Sequence, residues 1–216
     1  MDAVASKIQG IQKIVPGESS SEPTARINGG RPRNPDIDRA VLAAAARLVL
    51  SSGLRAVSID AIAAEAGVGR MAIYRRWPNK AAIVMSAFVA RVDPTTLFAP
   101  ASNFLESIRL QMRTMAKAFR GKDGALLRVL LAEAQHCPEV AEELRERWTM
   151  PRRRMATAYF EQGIREGRLR ADVDVNVMID LLYAPIYYRL QMGTGPLSNA
   201  YIDEIFEHAM RGLKKL

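Results

Sequence analysis

Ser58-Ile59-Asp60-Ala61-Ile62-Ala63-Ala64-Glu65-Ala66-Gly67-Val68-Gly69-Arg70-Met71-Ala72-Ile73-Tyr74-Arg75-Arg76-Trp77-Pro78-Asn79-Lys80 is the stretch that decides how this chain is read. Two short helical patterns meet at Ala66-Gly67-Val68-Gly69. In the first, Ile59, Ile62, Ala63 and Ala66 share one face at helical spacing. Ser58 can cap its start, and Asp60 suits the positive end of the helix dipole. Gly67 supplies the backbone freedom that a sharp turn needs, often at positive φ. The second pattern, about Arg70 to Trp77, turns Val68 and Ile73 inward and presents Arg70, Met71, Tyr74 and Arg75 outward. Arginine can pair bidentately with a guanine edge, and tyrosine can bond a phosphate oxygen. The arrangement predicts a helix-turn-helix, one helix packing while the next enters a DNA groove.

An ordinary helical hairpin with a solvated basic face would show the same small residues. The run Tyr74-Arg75-Arg76-Trp77-Pro78-Asn79-Lys80 carries the distinction. Pro78 ends one helix and Asn79 can cap the next. Lys80 then falls in a first helical turn, where a cation opposes the dipole at a cost of roughly 0.3–1 kcal/mol. A DNA phosphate at the same end would reverse that penalty.

From Gly30 to about Arg91 the chain resembles the tetracycline-repressor (TetR) family of one-component bacterial regulators, with the core of the likeness at Ser58 to Ile83. The family closes its third helix with an aromatic, two variable residues and an aromatic, and a Lys opens the fourth. Tyr74, Trp77 and Lys80 stand at those positions here. Gly69 stands where the family often has Ser, which removes one phosphate contact. Trp77 replaces the commoner Phe, and Arg76 the commoner His. Arg70, Met71 and Arg75 are expected on base edges. Ser58, Tyr74 and Lys80 are expected on phosphates, with Gly69 and Trp77 beside them. Arg31 and Arg33 precede the first firm helix and could enter the neighbouring minor groove.

Charge supports this division. The 216 residues carry a net charge of +8, of which residues 31–91 contribute +6 and residues 92–216 only +2. Phosphate neutralisation demands such a concentration. A membrane-surface role is disfavoured, since no single basic amphipathic helix dominates. No apolar run approaches the roughly 20 residues that span a bilayer, and the start of the sequence has no signal-peptide core. The single cysteine, Cys137, allows no intramolecular disulfide and fits a reducing cytoplasm.

Residues 1–30 read as a flexible extension, 31–92 as the helix-turn-helix domain, and 93–216 as an all-helical domain for ligand binding and dimerisation. The fold class is therefore all-α. Asn34 and Pro35 open the first helix, which Gly53 ends. Asp93-Pro94 breaks the pattern between the two domains. Pro151 predicts a kink or break near Thr149, and Pro185 an interruption of the helix from Asp174 to Met192. The last helix has an apolar set wide enough to face both its own core and a second chain. In the family resembled, the last two helices of each chain build a four-helix dimer interface.

Chemistry is sparse. His136 and Cys137 are adjacent along the chain and cannot face one another as a dyad. No paired metal ligands, phosphate-cradling glycine loop or cofactor motif appears. An enzyme is not expected. Residues 93–216 could instead enclose a small apolar molecule of unknown identity. The candidate lining is Met112, Met115, Phe119, Trp148, Met155, Tyr159, Tyr183 and Tyr187, while Arg152-Arg153-Arg154 reads as a solvated face, though one of these arginines could meet an acidic ligand. The expected protein is a homodimeric regulator, a repressor released by a ligand from a near-palindromic double-stranded operator. The competing reading is a ligand-independent DNA-binding or architectural protein whose second domain only dimerises.

Overall fold

Asn34 starts the first helix as its side chain dictates, accepting the amide of Asp36 at 2.9 Å, with Pro35 in the first position. The structure is a computed structural model and describes residues 34–92 and 103–215. The N-terminal extension, Arg31, Arg33 and the Asp93-Pro94 break lie outside those residues. Helix α1 (Pro35–Ala56) follows a regular path to Gly53, where φ is 79°, and ends in one further turn. Val41, Ala45 and Val49 are buried along it, while Ile37, Leu42 and Leu48 pack half-buried at the margin.

Helices α2 (Ile59–Ala66), α3 (Arg70–Tyr74) and α4 (Lys80–Val89) follow. α3 is shorter than the sequence predicts, because Arg76 and Trp77 close back on the Ile73 carbonyl and end it. In α4, Ala81, Ala82, Ile83, Val84, Met85, Ala87 and Phe88 are all buried. The sequence predicts only one apolar face there. α4 is apolar all round because α1 lies against it on one side, and two helices of the second half lie against it on others.

That second half comprises α5 (Phe104–Phe119), α6 (Lys122–Glu133), α7 (Pro138–Leu144), a π-helical turn (Arg145–Thr149), α8 (Met150–Arg165), α9 (Val175–Met192) and α10 (Asn199–Leu213). The corner between α5 and α6 needs a glycine. A Cβ on Gly124 would lie 2.0 Å from the Phe119 carbonyl oxygen, a backbone atom that cannot step aside.

The two internal prolines act differently from one another. Pro151 enters at the start of α8, where its missing amide is least costly. The turn before it widens, and the Met150 amide donates to Arg145 O, one residue further back than in an α-helix. The α-helical pattern is thus interrupted over Arg145–Thr149, where the sequence predicts a kink or break, and resumes in α8. α9, by contrast, continues as one helix through Pro185, where the sequence predicts an interruption. The Leu181 carbonyl loses its amide partner there, but Leu181 is half exposed and water can replace it.

The described residues hold no strand, only one isolated bridge between Leu169 and Lys214. The fold is all-α, a three-helix head with a helical second part. Packing crosses the division expected at Asp93. Arg55 pairs with Glu133 at 3.0 Å and Arg91 with Asp123 at 2.5 Å. Phe88 of α4 tilts against Trp148 with ring centroids 4.6 Å apart. Residues 34–216 accordingly form one compact unit. None of the described helices is long and apolar enough to cross a membrane.

Candidate nucleic-acid interface and effector cavity

The turn between α2 and α3 is fixed by backbone hydrogen bonds. Gly67 adopts φ 65°, its amide reaches Ala64 O at 3.2 Å, and the Val68 amide reaches Ala63 O at 3.0 Å. This crossed pair is a Schellman closure, and its left-handed residue favours glycine. Ser58 caps α2 through the Ala61 amide at 3.0 Å. Ile62 and Ile73 lock the two helices from inside, both fully buried.

The outer face of α3 then presents what the sequence led one to expect. Met71 is 71% exposed and Tyr74 46%. Arg70 and Arg75 are exposed beside them. Arg70 Nε lies 2.7 Å from Asp60 Oδ1, with both side chains in solvent. Such an exposed pair is worth about 0–1 kcal/mol and can yield to a base edge or phosphate. Ser58, at the start of α2, and Gly69, just before α3, are also exposed. Arg76 points the other way, donating from Nε to Asp38 at 2.5 Å and from Nη1 to Ala72 O at 2.9 Å. It clamps α3 onto α1.

Two expected phosphate contacts are corrected by the geometry. Trp77 is only 8% exposed, and its indole N–H donates to Ser86 Oγ at 3.0 Å. The ring is core and its one donor is spent inside. Lys80 reaches across to the end of α1, donating from Nζ to Leu54 O at 2.8 Å and Val57 O at 2.7 Å. A cation in a first helical turn is relieved here by carbonyls at the negative end of another helix, with no phosphate required. The expected result of Lys80→Met is thus a loss of about 1.5–3 kcal/mol of folding stability, read by chemical denaturation. A variant as stable as the wild type would show that those two bonds contribute nothing.

Ser86 is a junction. Its hydroxyl donates to Ala82 O at 2.7 Å, accepts from Trp77, and accepts from Arg147 Nη1 and Nη2 at 3.1 Å each. Arg147 lies in the π turn and is also held by Glu143 at 3.0 Å. The neighbouring Trp148 packs on Phe88 and donates from Nε1 to the Tyr187 hydroxyl at 2.9 Å. Helix α4 is therefore wired to the second half at two successive residues of that turn.

Behind Trp148 lies a cavity of about 520 Å³, walled by α5, α6, α8 and α9. Of the eight residues predicted to line a ligand site, Met115, Tyr183 and Tyr187 line this cavity. Trp148, Phe119 and Met112 are buried around that wall without forming its lining. Met155 faces solvent, and Tyr159 stacks flat on Phe104 at 4.7 Å, away from the cavity. Helical spacing reports that a residue faces inward, not whether it meets packed core or a void.

The lining also holds polar residues outside the predicted set, among them Gln111, Arg152, Arg153 and Asp180. Gln111 is a polar residue inside the apolar stripe of α5, and that break in the stripe is a legible signal. Arg152 was assigned to a solvated face. Its guanidinium instead lies over the Trp148 ring, 3.3 Å from Cζ to the centroid, and desolvation lowers its pKa from the ordinary value. Burial pushes the Tyr183 and Tyr187 hydroxyls above the usual phenol range, so both stay protonated donors.

A capped and locked two-helix turn with an exposed basic reading face defines a helix-turn-helix DNA-binding protein. Comparison with known proteins gives the family. Residues 41–87 match the description "Bacterial regulatory proteins, tetR family", and residues 103–209 match "Tetracyclin repressor-like, C-terminal domain". An uncharacterised HTH-type transcriptional regulator of Bacillus subtilis (strain 168), YdeS, is 33% identical over 185 residues, covering 86% of this chain and 93% of that protein. The DNA-binding transcriptional repressor TetR of Mycobacteroides abscessus is 26% identical, covering 79% of this chain and 90% of its own length. The crystal structure of the TetR family regulator SCO0332 superposes with a TM-score of 0.65 at 26% identity, covering 82% of this chain and 98% of the other. The chain belongs to the TetR family of transcriptional regulators. Its relatives are regulators, not enzymes.

Proposed function

We propose that the protein is a homodimeric, sequence-specific repressor, released from a near-palindromic operator by a small molecule held in the second half. The observation that carries the DNA-reading part is the exposed row Arg70, Met71, Tyr74 and Arg75 on a rigidly locked α3. Arg70, Met71 and Arg75 read base edges, while Ser58 and Tyr74 hold phosphates. Such a regulator works where the DNA is, in the cytoplasm.

Dimerisation is supported by α9. Val177, Leu181, Tyr188 and Met192 form a half-exposed apolar row along one face of it. Ile205 and Ala209 of α10 border a groove that also includes Leu181. A monomer gains nothing by exposing that row, whereas a two-fold partner buries it against its own copy.

Release follows from the wiring of α4. A molecule in the cavity touches Tyr187, and through it Trp148, which packs on Phe88. Arg147, next in chain, holds Ser86, and Ser86 holds Trp77 at the end of α3. The ligand favours whichever arrangement of α4 it binds more tightly, by no more than that difference in affinity. The two α3 helices then lose the spacing of successive major grooves.

DNA binding by the purified dimer is the test. Its association constant should fall steeply with salt, and Tyr74→Phe should weaken operator and unrelated DNA alike. An affinity indifferent to salt would remove the phosphate contacts from this scheme.

A further inference from the structure

The cavity has an unbalanced polar lining. Arg153 is neutralised by Asp180 at 2.8 Å. Arg152 lines the same space and makes no ion pair or hydrogen bond with any described residue; it stacks on Trp148 and lies close enough to Tyr187 for the two to interact electrostatically. Gln111 is 6% exposed, and its Oε1 is enclosed with no hydrogen-bond partner. The Tyr183 hydroxyl is enclosed without a partner as well. A buried acceptor or donor left unmade is destabilising unless a partner satisfies it. Two of them on the walls of one cavity, beside an unpaired guanidinium, describe a ligand by its complement. The rest of the wall is apolar, with Met115, Leu131 and Ile179 among its members.

We propose that this cavity binds an apolar monocarboxylate bearing a hydroxyl group, its carboxylate on Arg152 and its hydroxyl on Gln111 or Tyr183. Arg152 is held over the indole, 3.3 Å from Cζ to the ring centroid, and its unpaired N–H donors suit a planar acceptor such as a carboxylate. One net positive charge in the lining calls for one negative charge on the ligand. A hydroxyl can donate to Gln111 Oε1 or accept from Tyr183. The volume of about 520 Å³ suits a molecule of one ring or a medium chain. The assignment deepens the effector reading above and rests on it only for the consequence at DNA.

The test uses the full-length protein without DNA. Binding of 3-phenylpropionate, 3-(4-hydroxyphenyl)propionate, decanoate and their primary amides is measured by calorimetry, with Trp148 fluorescence as a second readout. At least one acid should bind about tenfold or more tightly than its amide, as expected for a charge-assisted pair. Arg152→Gln should collapse that ratio towards one while the variant keeps its melting temperature within a few degrees. Arg152→Lys, which keeps the charge and loses the fork, should give an intermediate ratio and guards against misfolding of the glutamine variant. The hydroxylated acid should bind more tightly than 3-phenylpropionate, and Gln111→Leu or Tyr183→Phe should erase that preference. Amides binding as well as acids, an acid preference that survives Arg152→Gln, or no acid bound at millimolar concentration would each overturn the proposal. Operator binding is then measured separately. Arg152-dependent acid binding that leaves DNA affinity unchanged would uphold the ligand class and remove the effector reading alone.

Discussion

Phe88→Ala should cost about 3–5 kcal/mol of folding stability, the range for emptying a fully buried aromatic site. Phe88 has no exposure, and its ring sits where α4 meets Trp148. Truncation leaves a void on the seam between the three-helix head and the second half, and neither side can collapse into it without dragging a helix. The two tryptophans of the chain make the measurement informative. Trp77 reports the head and Trp148 the second half. In urea the wild type should unfold in one transition at both probes, because buried contacts cross the seam. The variant should unfold at lower denaturant at both. A loss under about 1 kcal/mol would mean that the seam is loosely packed and that α4 cannot transmit a change from the cavity.

Val177→Glu combined with Leu181→Glu should convert the proposed dimer into a monomer and weaken operator binding by more than about a hundredfold. Both residues are half-exposed apolar positions on α9, one turn apart. Two-fold symmetry doubles each substitution, so four carboxylates would meet in an apolar contact without partners, and each unpaired charge is costly to desolvate. A monomer offers one reading head where the dimer offers two. Sedimentation velocity and an electrophoretic shift read the two effects independently. A variant that remains dimeric would place the interface elsewhere on the molecule.

The reading head was the most legible part of the sequence, because local chemistry determines it. Ser58, Gly67 and Asn79 do what their side chains or backbone freedom dictate within three residues of themselves. Non-local partners were not legible. Lys80 looked unpaired because its acceptors, Leu54 and Val57, belong to the end of another helix. Trp77 looked like a surface aromatic because Ser86, which satisfies its one donor, sits on the following helix. The cavity was harder still. Met112 and Met115 share a helix face, yet only Met115 reaches the void. Arg152 sits within a run of three arginines whose sequence does not separate the one stacked on Trp148 from its neighbours. Packing of α8 against Trp148 makes that distinction, and it is a property of the fold.

Selection of bound duplexes from random DNA is the most direct measurement of what α3 does. The wild-type pool should converge on two inverted half-sites whose centres are roughly 34–36 Å or a multiple of that apart. Arg70→Ala and Arg75→Ala should each relax the preference at a base position in both half-sites, at about 1–3 kcal/mol per lost bidentate contact. A pool without inverted symmetry, or a preference that both substitutions leave intact, would show that the exposed face of α3 is not the surface that reads DNA.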